Sequence, residues 1–423
     1  MKNLILALCF LFALSAPTLA EEEAPEAIPE MVVVGGKGQN CREDPGCFNR
    51  MHPSIPAAAF AVPGQIIRFR TRDAADLLGI AGSVGPDSLA MSDFSLARVH
   101  PVTGPVHIKG AMAGDALAVT IHAIHPGSVA WTSIDGGFAQ DLVDEQAVIL
   151  WELEDNYATS EGLPGIRIPN GSFPGVVTTL PGPFELNAML AREAALAAVG
   201  GSALQPDATL ASPDVLCGVD GTAPAECLRT IPPREHGGNL DIKHLRAGVT
   251  IYLPCFIDGC GLGIGDLHYA QGDGEVGGTA VEMSADVDVS VEIISGGMTF
   301  AGGPHFEGPA HLLDIPSTRF YAVTGFPLKP AGSVPPRHAY LDSPTLPPLE
   351  NLSGDIGLAA RNALSAMIDH IVETYGYTPV QAYLIASVAV DLRISQLVDM
   401  PNVGVAAYLP LDIFIGEPGD SQP

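Results

Sequence analysis

The sequence predicts a β-rich protein of the α+β class, and three observations support this prediction. The 423 residues include 47 glycines and 37 prolines, which divide much of the chain into short apolar runs of strand length. Some of these runs alternate apolar and polar residues, as Leu117, Val119 and Ile121 do within 116–122. Longer segments with a helical period are concentrated near the C-terminus. Strands in one part of the chain and helices in another are typical of the α+β class.

The N-terminal residues are predicted to be a targeting segment and a leader. Residues 1–20 carry one lysine, an apolar run and small residues before a cleavage point, which is typical of a signal peptide. The run is too short for a bilayer, which needs roughly 20 apolar residues, so no membrane contact is expected after cleavage. Residues 21–44 begin with an acidic, proline-bearing stretch and predict a disordered leader. The folded part is predicted over 45–423, as one domain or as two subdomains at about 45–200 and 201–415.

The middle of the chain predicts strands interrupted by one helix. Short runs bounded by proline and glycine predict strands over 57–124. An alanine- and leucine-rich stretch predicts a helix at 186–199, which Gly200 and the glycine after it would end. Strands return over 210–330, most clearly at 249–253 and 287–294.

The C-terminal part predicts helices after a long connection. Proline-rich residues 327–348 predict a surface connection. A helix is predicted at 356–374 from its apolar face, and another at 379–398. Thr378 can cap the second helix, and Pro379 suits its first position.

Charge and cysteine usage limit the partners and the compartment. The chain has 48 acidic and 20 basic residues, so its net charge of −28 disfavours nucleic acids and anionic membranes as partners. Cleavage would remove Cys9 and leave six cysteines, an even number that fits an oxidising compartment and predicts a periplasmic or secreted protein. Sequence does not fix the connectivity, but proximity favours three local pairs: Cys41–Cys47, Cys217–Cys227 and Cys255–Cys260.

A dense group of acidic and imidazole side chains between residues 233 and 282 predicts a metal site. Asp266 and His268 are one residue apart, so on a strand they lie on the same face. Asp273 and Glu275 have the same spacing, and Asp241 in the preceding turn supplies a further ligand. Imidazole among the ligands favours zinc over calcium. Either carboxylate of the second pair can serve as general base, with Glu275 preferred, although Glu275 is nearly as well suited to bind the metal.

The same region resembles the acetamidase/formamidase family of amidohydrolases. The resemblance rests on motifs that occur in order along most of residues 45–415: PREHGGNLD at 233–241, LPCF at 253–256, GDLH at 265–268, QGDGE at 271–275, and shorter matches at 49–53, 71–74, 99–105, 110–115 and 391–399. It implies a β-sandwich-like core with helical additions near the C-terminus. It also implies a homo-oligomer and a catalytic domain over 45–423.

The resemblance adds candidates to the site. His236 and Asn239 lie in its first motif, where one can bind metal or contact a substrate carbonyl, although relatives carry either Asn or His at position 236. His52 and His100 each match a histidine of the family pattern, and one of them is expected to close the site from the N-terminal part. Together these residues make Asp241, Asp266, His268 and His236 the predicted ligands, with Asn239, His52 and His100 as substrate contacts.

The predicted function is hydrolysis of a small neutral linear amide, such as formamide or acetamide, by metal-activated water. Ammonia and a carboxylate would be released. A cyclic amide or another substrate with a C–N bond is an alternative. A different hypothesis is a non-catalytic secreted β-protein with structural calcium, and a third is a thiol enzyme using Cys255, which oxidation with neighbouring cysteines disfavours.

Overall fold

The computed structural model describes residues 30–78, 88–135, 137–143, 145–154, 156–200, 203–297, 303–327, 355–397 and 403–415. The predicted signal peptide and nearly all of the proline-rich connection lie outside these residues. The strands are β1 Val32–Gly35, β2 Cys47–Phe48, β3 Arg50–Met51, β4 Ala59–Ala61, β5 Ile67–Arg70, β6 Val102–Ile108, β7 Ala116–Ile134, β8 Ala147–Glu154, β9 Tyr157–Thr159, β10 Arg167–Pro169, β11 Phe173–Thr178, β12 Leu228–Arg229, β13 Gly237–Asn239, β14 Thr250–Pro254, β15 Leu262–His268, β16 Glu282–Ile294, β17 His305–Glu307, β18 Phe320–Gly325, β19 Asp391–Gln396 and β20 Gly404–Pro410. The helices are α1 Pro183–Ala198, α2 Asp214–Cys217, α3 Ile356–Tyr375 and α4 Pro379–Ala389. The β-rich α+β prediction is confirmed.

One 15-stranded sheet organises the molecule, with a main strand order of β10-β9-β8-β7-β16-β15-β11-β13. β7 pairs with β14 through its first half and with β8 through its second, while β16 pairs with β15 at its start and with β5 further along. The long strands β7 and β16 thus each pair with different strands along their length. Alternate residues of β7, including the predicted Leu117, Val119 and Ile121, are fully buried, so the alternation in sequence is the alternation between core and exterior.

The segment assigned to the end of the disordered leader is ordered. Val32–Gly35 forms β1 and pairs in parallel with Ile67–Arg70. Cys41 and Cys47 are joined by a disulfide just beyond it. A leader reaching residue 44 is therefore wrong for the part that the structure describes, because the apolar valines of β1 complete the sheet beside β5.

The C-terminal helices confirm part of the prediction and correct the rest. α3 buries the predicted apolar face, including Leu364 and Met367. α4 has the predicted Thr378 cap but ends at Ala389, so a helix reaching residue 398 is wrong. Residues 391–396 instead form β19, which pairs with β20 in a three-stranded sheet. Strand pairing outweighs the weak helical preference of this short segment.

Three disulfides join the cysteines in the predicted local pairs, Cys41–Cys47, Cys217–Cys227 and Cys255–Cys260. Each pair closes a loop of 5 to 10 residues. In the part of the chain that the structure describes, no helix has the length and apolar character needed to cross a bilayer.

Candidate active site

The site is built at the end of β15, in the interior of the sheet. β15 is flanked by β11, β6 and β16, and it carries Asp266 and His268 as its last polar residues. His268 is paired across the hairpin with Glu282, the first residue of β16. Asp241 follows β13, whose strand pairs with β11, and Glu275 lies in the turn between β15 and β16. Three neighbouring strands and two turns therefore bring these side chains to one place.

The carboxylates and the imidazole converge closely. His268 Nε2 lies 3.5 Å from Asp266 Oδ1 and 3.2 Å from Glu282 Oε2. Two groups each offer ligand atoms within 4.8 Å of one another: Asp241, Asp266 and His268, and His268, Glu275 and Glu282. His268 belongs to both groups, so it is the centre of the cluster.

Three residues of the cluster have backbone conformations that side-chain-bearing residues rarely adopt. The φ angles of Asp241, Asp266 and Glu275 are +48°, +55° and +42°. Such left-handed conformations cost about 1–3 kcal/mol each and persist where the surroundings impose them, often at functional sites. In these conformations the three carboxylates converge on His268.

Burial and neighbouring charges shift the pKa values of the side chains in the cluster. Burial raises the pKa of Asp241 to about 7, and it raises the pKa values of Glu275 and Glu282 as well. For Asp266, burial also acts upward, but the nearby His100 and His268 outweigh it and hold the pKa at about 2. Burial lowers the pKa of His268, but Glu282 and Asp266 reverse this and raise it well above its usual value. So many buried acids around one imidazole call for additional positive charge.

The residues present fit a divalent cation. Several buried polar atoms of the cluster have no hydrogen-bond partner, although such atoms are rarely left unpaired in folded proteins: Asn239 Oδ1, Asp241 Oδ1, Asp266 Oδ1, His268 Nε2 and Glu282 Oε2. Carboxylate oxygens with an imidazole nitrogen form a donor set that suits zinc and related metals. Gly175 on β11 keeps the space open, because a Cβ there would lie 2.7 Å from oxygens of both Asp241 and Asp266.

Two of the predicted substrate contacts border this cluster. His100 Nε2 lies 3.7 Å from Asp266 Oδ2, and its Nδ1 is buried without a partner. Asn239 Nδ2 donates to Asp241 Oδ2 at 2.9 Å. These contacts place both residues beside the candidate ligands.

The remaining predicted residues lie elsewhere or are otherwise engaged. His236 is fully buried with its Nδ1 2.8 Å from Thr178 Oγ1, and burial lowers its pKa to about 3. It belongs to neither ligand group. Asp273 forms an ion pair with Lys243 at 3.1 Å. His52 Nε2 lies 3.8 Å from the exposed carboxylate of Glu226, and His52 belongs to neither ligand group.

Sequence reasoning did not assign roles to Glu282, Gln271 or Gly175. The sequence does contain a signal for Glu282, which is the glutamate ending the glycine-rich stretch after Glu275. Its role becomes visible through the register of the hairpin, which places it opposite His268. Gly175 is recognised only from what surrounds its Cα in three dimensions.

A β-rich fold that holds buried carboxylates and an imidazole in one cluster is typical of an enzyme with a metal centre. The model of the Acetamidase/Formamidase family matches residues 36–416, and the chain belongs to this family. It is accordingly an amidohydrolase that acts on carbon–nitrogen bonds other than peptide bonds.

Named relatives and a solved structure agree with this assignment. The chain is 33% identical to an acetamidase of Mycolicibacterium smegmatis over 85% of its own length and 89% of that protein. It is 31% identical to a formamidase of Methylophilus methylotrophus, over 88% and 90% of the two chains. The structure of a gamma lactamase from Delftia acidovorans has a TM-score of 0.78 at 29% identity, covering 91% of this chain and 92% of that one.

Proposed function

We propose that this protein hydrolyses small linear amides such as formamide or acetamide, and that it uses zinc as the divalent metal that activates water. The observation that supports the proposal most is the set of buried carboxylate and imidazole atoms without partners around His268. The names of the acetamidase and formamidase relatives support the substrate class. Ammonia and the corresponding carboxylate would be the products.

The proposed ligands are Asp241, Asp266, His268 and Glu282. When bound, the metal would polarise the substrate carbonyl and lower the pKa of water. His236 is not retained as a ligand, because it belongs to neither group of converging ligand atoms.

Glu275 is the proposed general base. Its carboxylate contributes to the group around His268, while the carboxylate of Asp273 is held by Lys243. Burial raises the pKa of Glu275 above its ordinary value, which moves a carboxylate toward the range in which it both accepts and returns a proton near neutrality. Glu275 would take a proton from water and deliver it to the leaving nitrogen.

His100 and Asn239 are the proposed substrate contacts. Asn239 Oδ1 is a buried acceptor without a partner, so it can accept a hydrogen bond from the amide NH₂ of the substrate. His100 closes the cluster on the side of Asp266. His52 has no role in this proposal, because it belongs to neither group of converging ligand atoms.

A cyclic amide is a second candidate substrate. It is favoured by the structural similarity to the gamma lactamase, since a lactam is a cyclic amide. The same water activation and proton transfer would open a ring instead of releasing ammonia.

The proposed location is periplasmic or secreted, and the proposed assembly is a homo-oligomer. Three disulfides support the location, because disulfides persist in oxidising compartments. A mass measurement of protein exported by its native host would test whether the chain begins after residue 20.

The test of activity is ammonia release from a panel of short amides, with ring opening of a lactam followed in parallel. Wild-type protein is assayed before and after removal of metal by a chelator, beside Glu275→Gln, His268→Ala and the control His52→Gln. The proposal expects activity that zinc restores, that is lost in the first two variants and that is retained in the control. Hydrolysis unaffected by complete metal removal would refute the metal-dependent mechanism.

A further inference from the structure

Gln271 contacts the cluster from outside the set of proposed ligands. It lies three residues after His268 and is buried. Its side-chain amide makes two hydrogen bonds, one with His268 Nδ1 at 2.9 Å and one with the main-chain oxygen of Asp241 at 3.0 Å. A single side chain thus joins two of the proposed ligands.

The second contact fixes the orientation of the amide. The main-chain oxygen of Asp241 has no hydrogen to donate, so the group that faces it must be the NH₂ of Gln271. The oxygen of Gln271 is therefore the atom that faces His268. Because an amide oxygen only accepts, His268 Nδ1 must carry the hydrogen of this bond.

This hydrogen bond determines which nitrogen of His268 is available to a cation. With the hydrogen on Nδ1, the neutral ring has its lone pair on Nε2, the atom that faces Asp266 and Glu282. Nε2 is also the ring atom that is buried without a hydrogen-bond partner. The Phe173 ring, edge-on to the imidazole at 5.0 Å between centroids, limits rotation on another side.

The same amide acts on Asp241, which lies on a different loop. Gln271 and Asp241 are 30 positions apart, and Asp241 has the strained φ of +48°. A hydrogen bond to its main-chain oxygen helps to hold this conformation. Losing Gln271 would remove one restraint from the ring of His268 and one from the turn of Asp241.

We propose that Gln271 is a positioning residue that fixes the tautomer of His268 and the turn of Asp241 for a divalent cation. This inference rests on the metal site of the proposed function. Partners of this kind behind metal ligands typically change metal affinity by about 10- to 100-fold when removed.

The test compares zinc affinity, measured by competition with a chelating dye, in wild-type protein, Gln271→Met, Gln271→Glu and Gln381→Met. Gln271→Met keeps the length of the side chain but removes both hydrogen bonds. Gln271→Glu keeps the acceptor for Nδ1 and loses the donor to Asp241. Gln381 caps α4 through Thr378, so its replacement by Met controls for the loss of a glutamine amide elsewhere.

The proposal expects zinc affinity to fall about 10- to 100-fold in Gln271→Met, to fall less in Gln271→Glu, and to be unchanged in Gln381→Met. The visible spectrum of the cobalt-loaded protein should also change in Gln271→Met. Wild-type affinity in both Gln271 variants would overturn the positioning role while leaving the metal site intact. Wild-type protein that binds no divalent cation would overturn the metal site and this role together.

Discussion

Replacing Gly175 with alanine tests whether the space within the carboxylate cluster is needed for a cation. Gly175 lies on β11, and its main-chain oxygen accepts a hydrogen bond from Leu240 N at 2.8 Å. A Cβ at this position would lie 2.7 Å from Asp241 Oδ1, 2.7 Å from Asp266 Oδ2 and 2.9 Å from His268 Cε1. The added methyl group would therefore press on three proposed ligands at once.

The size of the effect follows from these distances. Ordinary van der Waals contact begins at 3.4 Å, so each oxygen must move away by about 0.7 Å. Metal sites hold their ligands to within about 0.2 Å, and a misplacement approaching 1 Å lowers activity by about 100-fold. We expect a loss of activity that approaches about 100-fold, together with an overpacking cost of about 1–3 kcal/mol in unfolding free energy.

The assay measures bound metal by elemental analysis, ammonia release from formamide and acetamide, and unfolding by denaturant. Gly171→Ala is the matched control, because its Cβ would meet its nearest neighbour at 3.8 Å. Full metal content and activity in a folded Gly175→Ala protein would refute the assignment of this cluster as the metal site. Equal losses in the two variants would show that the effect is not specific to the cluster.

Other regions give further predictions. Lys243→Met should reduce activity and lower the unfolding free energy by about 1 kcal/mol, because Asp273 and Asp391 lose their contact with Lys243 and keep Arg393 as an ion-pair partner. The exposed Lys109→Met should change neither quantity. Replacing Cys255 and Cys260 with serine should lower the unfolding free energy by about 2 kcal/mol, the chain-entropy value for so short a loop; no change in a denaturant titration would contradict this. Glu275→Gly should abolish activity yet raise the unfolding free energy of metal-free protein by about 1 kcal/mol, because glycine adopts positive φ without strain; a decrease would contradict the strain argument.

Asp273 and Glu275 are one residue apart in sequence, as Asp266 and His268 are, but they have different surroundings in the structure. Their spacing puts both side chains on one face if the segment is a strand. The segment is instead a turn, in which Glu275 has a φ of +42°. The turn directs Glu275 into the cluster and leaves Asp273 beside Lys243. A two-residue period holds for a strand and does not hold for this turn.

Local features of the chain were predictable, whereas relations between distant segments were not. The buried face of α3 and the cap of α4 depend on residues a few positions apart, and both were predicted. The role of Glu282 depends on the register between β15 and β16, and that of Gly175 depends on how β11 faces them. These relations are set by the assembled sheet, which also gives residues 391–396 a strand partner in β20.

Ion pairs around Lys243 link the two strained turns of the site, which carry Asp241 and Glu275. Lys243 contacts Asp273, two residues before Glu275, and also Asp391 at the start of β19. Asp391 in turn accepts a hydrogen bond from the main-chain nitrogen of Asp273 at 3.2 Å. Because Lys243 is itself two residues after Asp241, this network ties both strained turns to the C-terminal sheet. The departure of residues 391–396 from a helix thus has a consequence for the site, since a strand beginning at Asp391 is what places its carboxylate between the two turns.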